Sequence, residues 1–192
     1  MEQVRVVIPL GAGATGLEST VSPSAHANRL CPEPLGENVA PLTMAKALII
    51  VDVQPTFCEG GSLAVEGGNR VATDIANLIS GNHGYALIVT TQDWHIDPGD
   101  HFAEDPDFVN SWPPHGVAGS PEAALHPELV NVAHRIDQEV RKGQYAAAYS
   151  GFEGDTDDGT PLVTVLRNAK VTDVDVVGLA FDHCVRATAL DL

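Results

Sequence analysis

One stretch constrains the fold more than any other. Ala47-Leu-Ile-Ile-Val-Asp-Val53 is a near-continuous apolar run, broken by a single aspartate. A strand with one wet face alternates polar and apolar residues. An unbroken run is the pattern of a strand buried on both faces, as in a parallel sheet covered on each side by helices. Downstream, Val71, Ile75, Leu78 and Ile79 recur at helical spacing, and Gly81 suits the C-terminal stop. Tyr85-Ala-Leu-Ile-Val-Thr-Thr91 is the next apolar strand. Strand, helix, strand gives a right-handed crossover and a parallel pair. Gln138 to Lys142 reads as a third strand with a weaker pattern. Thr160-Pro161 supplies an N-cap and a first helical residue, and Leu162, Val165, Leu166 and Ala169 form the inner face of that helix. Val174, Val176, Val177 and Leu179 form a further buried strand, in which Gly178 marks a close backbone approach. The implied class is α/β: a three-layer parallel sheet with helices on both faces.

Residues 1–44 differ from the rest. Gly11-Ala-Gly-Ala-Thr-Gly16, Ser22-Pro-Ser24, Pro32-Glu-Pro34 and Pro41 interrupt any period. This segment is expected to be a flexible leader, with the domain proper spanning 45–192. The glycine run is a poor dinucleotide fingerprint, since Ser22-Pro-Ser24 follows too soon for a helix. With 26 acidic against 10 basic residues and a net charge of -16, neither nucleic acid nor an anionic membrane is the expected partner. No apolar run is long enough to cross a bilayer. Cys31, Cys58 and Cys184 are odd in number and widely spaced, a poor disulfide framework, which fits a reducing, cytoplasmic setting.

Chemistry-bearing residues gather where strands end, the edge at which open α/β sheets bind ligands. Asp52 closes the first strand. Asp93-Trp-His-Ile-Asp-Pro-Gly-Asp-His101 follows the second, and Trp112-Pro-Pro-His115 lies further along the same long loop. One carboxylate and three imidazoles, Asp93, His95, His101 and His115, suit one divalent transition metal such as Zn, Fe or Mn, with open positions for water or substrate. The competing account makes the histidines solvated loop residues. Cys184 sits where the last strand hands over to a helix, a setting that favours a thiolate. The competing account makes it a small buried hydrophobe. Asp52, Lys142 and Cys184 together would place an acid, a cation and a nucleophile at one sheet edge.

Five segments taken in order resemble a known family. They are Leu48-Ile-Ile-Val-Asp-Val-Gln54 with Phe57-Cys-Glu-Gly-Gly-Ser-Leu-Ala-Val65; Asp93 to Phe102; Ser111-Trp-Pro-Pro-His115; Lys142-Gly143 with Tyr149-Ser-Gly-Phe-Glu-Gly154; and Asp175 to Thr188. From Lys46 to Leu192 the chain resembles the nicotinamidase/pyrazinamidase branch of the isochorismatase-like hydrolases. The resemblance implies a catalytic triad of Asp52, Lys142 and Cys184, and metal ligation by Asp93, His95, His101 and His115. It also implies an oxyanion hole from the amides of Ala180 and Cys184, with a cis peptide before Ala180. Phe57 and Trp112 would sandwich a pyridine ring. The implied reaction is deamidation of nicotinamide, and of pyrazinamide, to the acid and ammonia through a cysteine thioester, in pyridine-nucleotide salvage.

The family pattern continues for several tens of residues past the cysteine helix, so the C-terminal part reads as truncated. Apolar surface is then expected to be exposed on the Val174 to Leu179 strand and around Val185, Ala189 and Leu190, and the strand's outer edge is expected to be open. The alternatives are a catalytically inactive fragment of such an enzyme, or another amide hydrolase of the same superfamily.

Overall fold

The first apolar run becomes β2 (Ala45–Val51), and its two faces feed two separate cores. Ala47, Ile49 and Val51 pack on one side with Leu162, Leu166 and Val185. Leu48, Ile50 and Val53 pack on the other with Ala72, Ile75, Ile79 and Leu129. Each large side chain taken out of water contributes roughly 1.5–3 kcal/mol, so a strand apolar on both faces is held from both sides. This computed structural model describes the backbone of residues 4–7 and residues 45–192 in full.

The described strands are β1 (Val4–Val7), β2, β3 (Leu87–Asp93), β4 (Gln138–Lys142), β5 (Asp155–Thr156) and β6 (Val171–Gly178). They lie in one sheet in the order β1-β6-β2-β3-β4-β5. The inner pairs β6–β2, β2–β3 and β3–β4 are parallel, and β1 and β5 run antiparallel at the two edges. Helices α1 (Gly68–Ser80) and α2 (Pro127–Val130) cover one face. Helix α3 (Leu162–Asn168) and a π-helical turn, Phe181–Val185, cover the other, and the turn leads into helix α4 (Arg186–Leu190). No helix among the described residues is long and apolar enough to cross a membrane.

The expected three-layer α/β fold is the fold observed, with local differences. The second strand runs two residues later than its apolar pattern, so Asp93 is its last residue. Gly81 ends α1 in an extended conformation, not a left-handed one. Pro161, not Thr160, caps α3; the Thr160 N–H is turned back onto Thr156 Oγ1 at 3.1 Å. Residues 4–7 of the expected leader form the strand beside β6, while residues 8–44, including Cys31 and the glycine run, lie outside the described residues.

The exposure expected of β6 is corrected. Val174, Val176, Val177 and Leu179 are all buried, and so is Val185; of the residues named, only Leu190 is widely exposed. The outer edge of β6 is occupied by β1. Gly178 does mark a close approach: its φ is 132°, and a Cβ there would stand 2.0 Å from Val51 O.

Candidate active site

The parallel strands β2, β3 and β4 end on the same edge, in register, with Asp93 opposite Lys142. Asp52 follows β2 with a φ of 50° and is fully buried. Its Oδ1 accepts from Thr91 Oγ1 at 2.6 Å, and its Oδ2 stands 3.0 Å from Lys142 Nζ. Lys142 Nζ also donates to Asp93 Oδ1, to the Ala148 carbonyl at 3.2 Å and to Cys184 Sγ at 3.7 Å. The three residues read from distant parts of the sequence as acid, cation and nucleophile therefore meet around one ammonium group.

Cys184 lies further into its helix than the sequence pattern suggests. The helical turn starts at Phe181, after a cis peptide between Leu179 and Ala180, so Cys184 is its fourth residue. The pull toward a thiolate expected of a helix start is opposed here. Burial raises the Cys184 thiol well above its ordinary range, against the opposing pull of Lys142. A thiol shifted in this direction needs a base to become a nucleophile. Asp52 suits that role: burial raises its carboxyl above the usual carboxylate range, against the pull of Lys142. Asp93 goes the other way. Burial works to raise it, but the Lys142 ammonium beside it holds it well below the ordinary value. The two carboxyls thus differ: Asp52, beside the thiol, is shifted toward holding a proton, and Asp93, beside the imidazoles, toward staying ionised.

The long loop after β3 is built by pairing. His95 N donates to Gly116 O at 2.9 Å, and Ala118 N to His95 O at 2.8 Å. Trp112 N donates to His101 O at 2.8 Å, and Ala103 N to Trp112 O at 3.0 Å. These two short bridges bring His95, His101 and His115 together, with ligand atoms within 4.8 Å of one another. All three are buried. His95 Nδ1 donates to the Gly143 carbonyl at 2.6 Å and His115 Nδ1 to the Pro113 carbonyl at 2.8 Å. Those carbonyls can only accept, so Nδ1 carries a proton and Nε2 is the nitrogen each ring can offer to a metal. Both Nε2 atoms stand 3.6 Å from Asp93 Oδ2. His95 Nε2 and His101 Nδ1 are buried without a hydrogen-bond partner among the described residues. Burial, and then His115 and His95, push the His101 pKa down to about 4. Three buried imidazoles gathered beside a carboxylate, two of their ring nitrogens without a partner among the described residues, fit a divalent cation. Gly143 lets this happen: at φ 74° it passes so close that a Cβ would stand 2.5 Å from His95 Cε1.

A cavity of about 420 Å³ opens beside both groups. Phe57 and Trp112 line it, as do Ala180 and Cys184. The Ala180 N–H makes no backbone hydrogen bond among the described residues. An isochorismatase-domain family model matches residues 46–192.

The chain belongs to the isochorismatase family. Within that family it is 55% identical over 146 residues to the nicotinamidase/pyrazinamidase of Mycobacterium tuberculosis, covering 76% of this chain and 77% of the relative. Among solved structures it is similar to PnC1 from L. infantum in complex with nicotinate, with a TM-score of 0.63 and 34% identity, covering 77% of this chain and 73% of that one. It is likewise similar to the Pyrococcus horikoshii pyrazinamidase in complex with zinc, with a TM-score of 0.59 and 35% identity over 76% of each chain.

Two residues of this isochorismatase-family site escaped sequence reasoning. Gln54 Nε2 donates to the carbonyls of Asp93 (2.9 Å) and Ala123 (2.7 Å), and Gln54 Oε1 accepts from Asp93 N at 2.9 Å. A buried amide clamped on backbone has no spacing signature. Its only trace in the sequence is a polar residue directly after an apolar strand. Tyr149 lines the cavity and accepts from Trp112 Nε1 at 3.1 Å. An aromatic residue within a turn-rich segment was its only signal.

Proposed function

We propose that this protein is a metal-dependent amidase that deamidates nicotinamide, and pyrazinamide, to the corresponding acid and ammonia. One observation carries the reading. A fully buried lysine touches both Asp52 and Cys184, and Cys184 opens on a cavity that Phe57, Trp112 and Tyr149 line.

Asp52 takes the Sγ proton as Cys184 attacks the amide carbon. The charge on Lys142 faces both groups and favours their ionised forms as that proton moves. The amides of Ala180 and Cys184 would receive the developing oxyanion, a contribution of about 3 kcal/mol per donor in other acyl-transfer enzymes. Asp52 returns the proton to the nitrogen, the C–N bond breaks, and ammonia leaves a thioester on Cys184. Water then attacks the thioester carbonyl, the C–S bond breaks, and the thiol regains its proton. Phe57 and Trp112 hold the ring. Asp93, His95, His101 and His115 would hold one divalent ion. When bound, the ion supplies a Lewis acid for water and a ligand position for a ring nitrogen.

The test is ammonia release from nicotinamide and pyrazinamide by purified protein, with and without a chelator, beside Cys184→Ala. The expected result is release by the parent alone, lost on chelation and restored by zinc, iron or manganese. No release under any metal would favour an inactive fragment. Release only from non-aromatic amides would favour another amide hydrolase of the superfamily.

A further inference from the structure

Tyr149 has no part in the chemistry above, yet three parts of the site meet at its segment. Its hydroxyl accepts from Trp112 Nε1 at 3.1 Å. The preceding carbonyl, Ala148 O, accepts from Lys142 Nζ at 3.2 Å. Two residues on, Gly151 N donates at 2.8 Å to Thr188 Oγ1, on the helix that follows Cys184. One short stretch of chain therefore touches the ring wall, the lysine and the nucleophile's helix. It is fixed from outside the cavity. The Glu153 carboxylate accepts from the N–H groups of Tyr149 and Ser150, both at 2.7 Å, and Ser150 Oγ accepts from Phe152 N, completing a capping box.

An indole N–H can only donate. Among the described residues, the Tyr149 hydroxyl is the one acceptor that Trp112 Nε1 has. The tyrosine ring is itself held against His101, with centroids 6.0 Å apart, and against His183 at 6.4 Å. His183 in turn meets the Trp112 ring edge-on at 5.3 Å. The hydroxyl thus sits on a braced ring and fixes the rotation of a side chain that lines the cavity.

We propose that Tyr149 is a positioning residue, setting the orientation of Trp112 as the wall against which the aromatic ring of the amide substrate stacks. The inference rests on the amidase reading above. A stacking wall contacts the ring in ground and transition states alike, so its loss falls on KM and spares kcat.

Tyr149→Phe keeps the ring contacts and removes only the hydroxyl. Its KM for nicotinamide is expected to rise roughly five- to tenfold, the effect of one neutral hydrogen bond, with kcat within about twofold of the parent. In a Trp112→Phe background the same change should do nothing further, because the two residues act as one unit. In a Trp94→Phe background, which leaves Trp112 as the reporter, Tyr149→Phe should shift the tryptophan emission and increase its quenching by acrylamide. A fall in kcat at constant KM, an effect that persists without Trp112, or unchanged Trp112 fluorescence would each overturn the proposal. A parent protein inactive on nicotinamide would instead overturn the amidase reading, and the fluorescence comparison would still decide whether Tyr149 sets Trp112.

Discussion

Asp93 and Lys142 face each other as the last register pair of β3 and β4, and their side chains are in direct contact. Lys142 is fully buried and compensates a second carboxylate, Asp52, at the same time. Lys142→Met would leave both charges in a dry site without their counter-ion. Breaking a buried ion pair from one side costs about 3–5 kcal/mol. A urea titration should show a loss of that order, together with loss of ammonia release. A variant as stable as the parent would mean that the two acids do not depend on this lysine.

His101→Ala and His115→Ala should each purify with little bound divalent metal, while His134→Ala, at an exposed position, should retain it. Elemental analysis of dialysed protein checks this. Undiminished metal in both variants would put the ion elsewhere.

Cys184 opens on the cavity, whereas Cys58 is 1% exposed. Iodoacetamide at neutral pH should label Cys184 first, as read by peptide mass mapping, and prior labelling of Cys58 would sink the assignment of the nucleophile. Cys58 should show itself in alkali instead. Burial, and then Glu59, push its thiol from 9.0 up to about 11. Between those values the unfolded chain has lost a proton that the folded protein still holds. Stability is therefore intact below 9 and falls as pH rises through 11. Urea titrations of Cys58→Ala over that window should have a flatter slope than the parent, and equal slopes would remove Cys58 as a cause.

Deleting residues 1–9 removes the strand that pairs with β6. An uncovered strand edge invites pairing between chains. Light scattering should show a larger apparent size than the parent at equal concentration. No change would mean that β6 needs no partner on that side.

Legibility in the sequence followed the range of the forces involved. β2 could be read because burial on both faces leaves an unbroken apolar run, and Asp52 because it interrupts that run at a strand end. β4 was weak because only Val140 and Lys142 point into the protein, while Gln138 and Glu139 are exposed. The four candidate metal ligands stood out by residue type; what joins them is backbone pairing within the loop, which no side-chain pattern encodes. The start of the cysteine helix was missed because Ala180 provides no side-chain cap and the turn after it is π-helical. The pull of a helix start on the thiol can be read locally, whereas the burial that opposes it cannot. Gln54 and Tyr149 act on partners 39, 69 and 37 residues away, and the partner of β6 comes from the far end of the chain.

Gly143 has no side chain to offer a metal and is not among the residues lining the cavity beside Cys184, yet a single methyl group there would drive into the His95 ring. A genetic screen that scores loss of activity would return position 143 beside the histidines. A ligand map drawn from such a screen would then hold one residue too many, selected for the space it leaves empty.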